Sequence, residues 1–186
     1  MKYLADTLHT LIELLDKHSI PYGVMGGMAV RAYGVPRPTY DLDVIIDVER
    51  QRLPELFTHL RAIDYSIPEI YETGWVDEVK ELKLLKLRRY FRDESLDVDV
   101  FLAESEFPKE AMKRRCRAEA EDRTIWLISP EDLILFKLLA GRPRDLGDVF
   151  DVLFMQGQLD VQYMRGWASK LGVLPLLEQA IADQSK

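Results

Sequence analysis

Apolar residues recur with helical spacing at the start of the chain, at Leu4, Leu8, Leu11, Ile12 and Leu15. This spacing predicts an amphipathic helix. We expect it to end near Pro21, because a proline disfavours helical backbone in the residue before it. A short apolar run over residues 22–25, bounded by Pro21 and Gly26, is consistent with a buried strand. Residues 27–33 then predict a short helix that ends at Gly34.

Strand-forming residues dominate the next part of the chain. Val44, Ile45 and Ile46 predict a strand over residues 41–48 that is buried on both faces. A helix over residues 51–62 follows, whereas residues 64–80 show no clear pattern. The runs 82–91 and 96–102 predict two strands joined by a turn, which indicates a hairpin. A short helix near residues 109–114 and a second hairpin ending with residues 124–128 complete this part.

The last third of the chain has helical patterns. Ser129 and Pro130, followed by two acidic residues, are a typical helix start. This helix should run to Ala140 and end at Gly141, and two or three further helices should follow. The predicted class is α/β (α+β), with a mixed sheet flanked by helices and a C-terminal helical bundle. The division falls at residues 1–128 and 129–186. Because no flexible linker separates the two parts, we expect them to pack together.

Composition narrows the possible classes of protein. The chain has 186 residues, of which 47% are hydrophobic, enough for a real core. A single cysteine, Cys116, excludes an intramolecular disulfide and indicates a reducing compartment. The sequence has no signal-peptide pattern and no apolar run near the ~20 residues that span a bilayer. We therefore expect a cytoplasmic protein that does not bind membranes.

The net charge of −7 argues against general attraction to nucleic acid. Positive charge is nevertheless concentrated in residues 80–92 and 113–117. Such runs are usually solvated faces, and the alternative is a local surface that binds phosphates.

Candidate chemistry centres on Asp41 and Asp43, which follow the pair Gly26-Gly27 and a short helix. Side chains two apart on a strand project from the same face, roughly 6–7 Å apart. Two neighbouring carboxylates repel each other, so they imply a bound cation or a raised pKa. Carboxylate oxygens suit Mg²⁺, which often bridges them to substrate phosphates. Glycines before a helix allow backbone amides to approach those phosphates. The ordinary alternative is that the glycine pair forms only a tight turn and that the two acids are solvated. The apolar residues 44–46 next to the acids disfavour this alternative.

A third acid is expected on a neighbouring strand, because two bridging metal ions need more ligands than two carboxylates. The strand over residues 96–102 offers Asp97 and Asp99 on one face. Asp99 lies deeper in the apolar run and is the predicted ligand. Asp97 lies nearer the turn and is the alternative.

The chain has, in order, the pair Gly26-Gly27, a short helix, residues 39–43 and an acid on a later strand. This order of motifs resembles that of the DNA polymerase β-like nucleotidyltransferase superfamily. Residues 129–149 are similar to its abortive-infection (AbiEii-like) toxin type, which has a helix lysine followed by an Arg/Lys-Asp-x-x-Asp element. The resemblance covers roughly residues 20–155. The chain departs from it at Gly27, where many members have serine, so no hydroxyl can contact the phosphates there.

The resemblance implies that the core transfers a nucleoside monophosphate from an NTP to a hydroxyl, with Mg²⁺ or Mn²⁺ held by Asp41, Asp43 and Asp99. It further implies a nucleotide-binding set of Gly26, Gly27, Arg37, Thr39, Lys137, Asp145 and Asp148. From the residues alone, Lys137 is more simply the solvated face of its helix, and Asp145 an ordinary helix cap.

The superfamily's acceptors include antibiotics, RNA ends and protein hydroxyls. The chain could thus be a small-molecule transferase, or a toxin that modifies tRNA and pairs with an antitoxin. The alternative is a non-catalytic binding or partner protein that keeps the fold. Other chemistry finds little support, because His9, His18 and His59 show no metal-ligand spacing in the sequence.

Overall fold

Among the residues that the structure describes, eight strands form a mixed sheet at the centre of the molecule. The computed structural model describes residues 2–80, 82–120 and 123–184. The strands are β1 Tyr22–Val24, β2 Asp41–Ile46, β3 Tyr65–Ser66, β4 Asp77–Val79, β5 Leu82–Tyr90, β6 Ser95–Leu102, β7 Cys116–Ala120 and β8 Arg123–Leu127. Their order is β3-β5-β6-β2-β1-β8-β7, and β4 also pairs with β5. The central pair β2–β6 is parallel, and both hairpins predicted from the sequence, β5–β6 and β7–β8, are present.

Helices cover the sheet and fill the C-terminal part of the chain. They are α1 Lys2–Lys17, α2 Gly26–Tyr33, α3 Leu53–Arg61, α4 Glu106–Arg114, α5 Pro130–Ala140, α6 Pro143–Met155, α7 Val161–Lys170 and α8 Leu174–Gln184. Short 3-10 turns lie at Arg50–Arg52 and Glu69–Thr73. Across the described ranges, no helix has the length and apolar character needed to cross a membrane.

The alternation along β2 separates two packed layers. Leu42, Val44 and Ile46 belong to a cluster with the apolar faces of α1 and α3. Ile45 belongs to a second cluster, formed with α2, α4 and the C-terminal helices. Because side chains alternate on a strand, Asp41 and Asp43 face the second layer together with Ile45. The acids therefore lie between the sheet and the C-terminal helices.

Helix α5 runs through the second layer. The Ser129 hydroxyl accepts a hydrogen bond from the Asp132 backbone N–H at 3.2 Å, and Gly141 ends the helix with a φ of 66°. The start and end predicted for this helix are thereby confirmed. Residues 133–139 are all buried, as expected of a helix that is apolar around most of its circumference.

Two regions differ from the sequence-based prediction. The helix predicted over residues 51–62 divides into a 3-10 turn and α3, because Pro54 has no N–H to donate to an earlier carbonyl. The predicted strand over residues 41–48 ends at Ile46. Residues 64–80, which show no clear pattern, form two short strands and a 3-10 turn.

Candidate active site

Three neighbouring strands present charged side chains in register. Asp43 lies beside Asp99 across the parallel pair β2–β6, and Asp99 lies beside Lys86 across β6–β5. The next row along the strands is Asp41, Asp97 and Arg88. Neighbouring strands are about 4.8 Å apart, so these side chains form two short rows on one face. Spacing along a strand and strand order together bring the predicted acids to one place.

The two rows distinguish Asp99 from Asp97. The Asp97 side chain is 61% exposed and accepts a hydrogen bond from Arg88 Nε at 2.7 Å. Asp99 is partly buried and lies in the same row as Asp43. Arg88 therefore neutralises Asp97 at the edge of the site, whereas Asp99 is the carboxylate adjacent to Asp43.

Gly26 and Gly27 begin α2 beside the acids. Gly26 has a φ of 58°, and a Cβ there would overlap the Asp43 carboxylate. A Cβ on Gly27 would overlap the Thr39 hydroxyl and lie 2.8 Å from the Thr39 Cβ. That hydroxyl donates to Asp41 Oδ1 at 2.9 Å. The glycine pair thus leaves room for the two side chains that shape the site, and Thr39 orients Asp41.

Lys137 is 5% exposed and lies between two buried carboxylates. Its Nζ is 3.0 Å from Asp145 Oδ1 and 2.8 Å from Asp148 Oδ2. Arg37 adds a bidentate pair to Asp148, with N–O distances of 2.6 and 2.8 Å. The interpretation of Lys137 as a solvated helix face is therefore wrong, because an apolar helix buried on every side places its lysine inside. A lysine has three N–H donors, so one remains after these two contacts.

Asp145 serves two structural purposes. It accepts from the Arg142 backbone N–H at 3.2 Å, which caps the start of α6, and it binds the Arg142 and Lys137 side chains. Burial raises the pKa of Asp145, but the hydrogen bonds from Arg142 and Lys137 outweigh it and hold that pKa below its usual value. The carboxylate is therefore charged at neutral pH.

The electrostatics of Asp43 differ from those of Asp145. Burial, together with the charges of Asp41 and Asp99, raises the pKa of Asp43 to about 6, although Lys137 and the Gly27 backbone N–H oppose the shift. Burial also raises the pKa of Asp99, which the charge of Lys86 opposes. The three acids therefore repel one another, and the nearby cations offset that repulsion only in part, which favours binding of a cation.

Two cavities meet at the acids. The first, of about 400 Å³, includes Gly26, Asp43, Lys137 and Arg142, and has an apolar wall. The second, of about 500 Å³, includes Ser66, Arg88, Tyr90 and Asp97. Three residues, Asp41, Lys86 and Asp99, line both. The arrangement offers space for two reactants that meet at the same carboxylates.

The donor set fits a hard divalent cation. Asp41, Asp43 and Asp99 offer oxygen ligands only, on neighbouring strands, and their mutual repulsion is only partly relieved by nearby cations. Oxygen-only sites of this kind suit Mg²⁺ or Mn²⁺.

A family model described as DUF6036, a nucleotidyltransferase of unknown function, matches residues 3–179 of the chain. The chain belongs to this nucleotidyltransferase family. The abortive-infection type stays a prediction. Comparison with curated proteins finds no significant match.

Solved structures share the fold of this nucleotidyltransferase. An antigenic nucleotidyltransferase-like protein from Paracoccidioides brasiliensis has a TM-score of 0.56 and 21% identity, over 96% of this chain and 92% of that chain. The lincosamide antibiotic adenylyltransferase LnuA, lincomycin-bound, has a TM-score of 0.53 and 18% identity, over 80% and 96%. The antibiotic-resistance factor ANT(2'')-Ia has a TM-score of 0.57 and 17% identity, over 92% and 95%. At these identities the likeness confirms the fold.

Sequence reasoning missed two groups in this nucleotidyltransferase. The sequence does not indicate Arg142 or the apolar wall of the first cavity. It offers Lys86 only as part of the basic run over residues 80–92, although Lys86 and Arg88 alternate along β5 on the face of Asp99 and Asp97. The histidines show no metal-ligand spacing along the sequence, yet the fold brings His18 and His59 together beside Glu55.

Packing around Gly27 leads to a stability prediction. We expect Gly27→Ala to destabilise the nucleotidyltransferase by about 1–3 kcal/mol, because the added Cβ overpacks against Thr39. Gly166 lies within α7 with open space around it. The control Gly166→Ala should therefore stabilise by about 0.5–1 kcal/mol. Urea unfolding of both variants measures this, and equal effects would show that Gly27 is not tightly packed.

Proposed function

We propose that this protein transfers a nucleoside monophosphate from a metal-bound NTP to a hydroxyl group of an acceptor. The observation that carries the proposal is the in-register placement of Asp43 and Asp99 on adjacent strands, with Asp41 beside them, where two cavities meet. Asp41, Asp43 and Asp99 would hold Mg²⁺ or Mn²⁺. When bound, the metal neutralises phosphate charge and lowers the pKa of the attacking hydroxyl.

The first cavity suits the nucleotide. The Gly26 end of α2 offers backbone N–H groups to an anion, Lys137 keeps one N–H donor, and Arg142 adds a guanidinium. The apolar wall, which includes Leu84, Phe101 and Phe136, can accept the face of a base. Arg37, Asp145 and Asp148 act indirectly, since they hold Lys137 in place.

The second cavity suits a polar acceptor. Ser66 and Tyr90 offer hydroxyls, and Arg88 is paired with Asp97, so the charges of that pair largely cancel. Asp99, at the junction, is positioned to orient the acceptor hydroxyl toward the α-phosphorus. The protein would otherwise contribute by positioning the reactants and neutralising charge, which supply most of the catalysis in phosphoryl transfer.

The class of acceptor is open to two proposals. Two structural neighbours are named as antibiotic-modifying or antibiotic-resistance proteins, which supports a small hydroxylated molecule. The resemblance of residues 129–149 to the abortive-infection type supports an RNA end, and with it an antitoxin partner. A non-catalytic role is the alternative if no transfer occurs.

The test is incubation of the purified protein with each NTP, labelled at the α- or the γ-phosphate, with Mg²⁺ or Mn²⁺ and with separate RNA, protein and small-molecule fractions. Transfer of α-label but not γ-label to one fraction, with release of pyrophosphate, is the expected result. If wild type binds NTP but labels nothing, the proposed reaction fails and the binding-protein alternative stands.

The ranking of the two β6 acids is a separate prediction. Asp99→Asn should lower transfer by about 10²-fold or more, because it removes a charge at the junction of the cavities. Asp97→Asn should change transfer by less than about fivefold, since Asp97 is exposed and paired with Arg88. Turnover rates at saturating NTP measure both effects. The reverse ranking would show that Asp97 is the functional carboxylate.

A further inference from the structure

Two histidines from separate helices meet on the surface. The rings of His18 and His59 stack with centroids 3.9 Å apart and an interplanar angle of 27°. The Glu55 carboxylate lies 3.6 Å from His59 Nε2. One ligand atom from each of the three side chains lies within 4.8 Å of the others. Within residues 2–80, 82–120 and 123–184, no other group of three His, Cys, Asp or Glu side chains is this close.

The backbone holds these three side chains in place. Glu55 and His59 are one helical turn apart on α3, so they project from the same face. His18 follows the last residue of α1, and its N–H donates to the Leu14 carbonyl at 3.1 Å. Its own carbonyl accepts from Arg52 Nη2 at 2.9 Å. The end of one helix is thereby fixed against the side of another.

We propose that His18, Glu55 and His59 form a binding site for Zn²⁺ or a related imidazole-binding transition-metal ion. Two imidazoles and one carboxylate are a known ligand set for Zn²⁺ and leave a fourth position for water. A cavity of about 10 Å³ is lined by these three side chains together with Ile20, Arg52 and Leu56. Its volume is close to that which one water-sized ligand requires. The stacked rings would rotate about χ2, a soft torsion, to direct their nitrogens at one ion.

The fixed charges near this site have a small positive excess. Arg52 and Lys17 lie near His18 and oppose a cation, and Glu55 favours one. Binding therefore depends on direct ligation by imidazole nitrogen, which transition metals prefer and Mg²⁺ does not.

The proposed site is separate from the acids. Helices α1 and α3 pack on the sheet face that contains Leu42, Val44 and Ile46. Asp41 and Asp43 project from the opposite face. A metal at the histidines would tie the end of α1 to α3 and take no part in transfer.

The experiment is calorimetric titration of Zn²⁺ into the 186-residue chain that carries Asp41→Asn and Asp43→Asn. Excess Mg²⁺ is present, so that the remaining acids do not capture Zn²⁺. We expect one equivalent to bind. His18→Gln or His59→Gln should weaken that binding by about tenfold or more. His9→Gln, on α1, is the matched control and should bind as the parent does. Visible absorption of bound Co²⁺ gives an independent readout of tetrahedral ligation.

The melting temperature of each metal-free variant shows whether it is folded. Glu55 is exposed, so Glu55→Gln tests the site without disturbing the core; it should weaken Zn²⁺ binding severalfold. Unchanged affinity in His18→Gln and His59→Gln, or no Zn²⁺ binding by a folded parent, would overturn the proposal and leave a stacked histidine pair that only joins two helices.

Discussion

Asp43→Asn is expected to lower nucleotidyl transfer strongly and, in the absence of metal, to make the protein more stable. Asp43 is partly buried beside Asp41 and Asp99, and burial and those charges raise its pKa to about 6. Above that pH the charged carboxylate costs folding free energy, which asparagine does not. We expect a gain of about 1–2 kcal/mol at pH 8 without metal, at about 1.4 kcal/mol per pKa unit reduced for partial exposure. Loss of a metal ligand should lower transfer by about 10³-fold.

The pH dependence follows from the same shift. A carboxyl whose pKa rises from 3.8 to about 6 on folding stabilises the folded state while it is protonated. That stabilisation is lost as pH rises through about 6, so the difference in unfolding free energy between variant and wild type should grow from about pH 4 to about pH 7. Urea unfolding at a series of pH values, with EDTA present, measures it.

Asp47→Asn is the matched control, since Asp47 is exposed just beyond the end of β2. It should change neither stability nor transfer appreciably. In wild type, Mg²⁺ with a non-hydrolysable NTP should raise the melting temperature, because a ligand that binds only the folded state stabilises it. Asp43→Asn should remove that rise. A variant that keeps both transfer and the metal-dependent rise would place the metal elsewhere.

The sequence predicts the central part of the site because local rules govern it. Asp41 and Asp43 share a face through strand alternation, and β-branched residues next to them mark a buried strand. The start of α5 is predictable from Ser129 and Pro130 for similar local reasons. These features depend on residues only a few positions away in the sequence, so a short segment is enough to predict them.

Other features depend on strand order and packing, which no local pattern encodes. The row of Lys86, Asp99 and Asp43 requires β6 to lie between β5 and β2. His18 and His59 meet because α1 and α3 cover the same sheet face. Residues 64–80 resist prediction because β3 has only two residues and β4 only three, too few to show alternation.

Lys137 is buried, although a lysine on a helix is usually interpreted as solvated. Under that interpretation, replacing Lys137 would change the free energy of unfolding very little. The sequence around it nevertheless contains evidence for its burial. Helix α5 is apolar around most of its circumference, which is typical of a helix enclosed by others. The same segment is followed by Asp145 and Asp148, one turn apart on α6, which provide the charge that a buried lysine requires.

Lys137→Met is therefore expected to destabilise the protein by about 3–5 kcal/mol, because it leaves two buried carboxylates without their shared partner. Arg37 and Arg142 keep contact with Asp148 and Asp145, so we expect the lower part of that range. Urea unfolding without nucleotide measures the loss. Lys113→Met is the control: Lys113 is 73% exposed and pairs with Glu110 at the surface, so its loss should cost less than about 1 kcal/mol.

A triple variant separates the charge of Lys137 from its role with nucleotide. The triple variant combines Lys137→Met with Asp145→Asn and Asp148→Asn, which removes the unpaired buried charges. Part of the lost stability should therefore return. The recovery should be incomplete, because Arg37 and Arg142 then lose their partners. The affinity for NTP with Mg²⁺ should remain about tenfold or more below that of wild type, because the Lys137 N–H donor to the phosphates is absent. Calorimetry at a temperature where each variant is folded measures this affinity. Wild-type affinity in the folded triple variant would assign Lys137 a purely structural role. A stability loss in Lys137→Met no greater than in Lys113→Met would contradict the buried carboxylate–lysine arrangement itself.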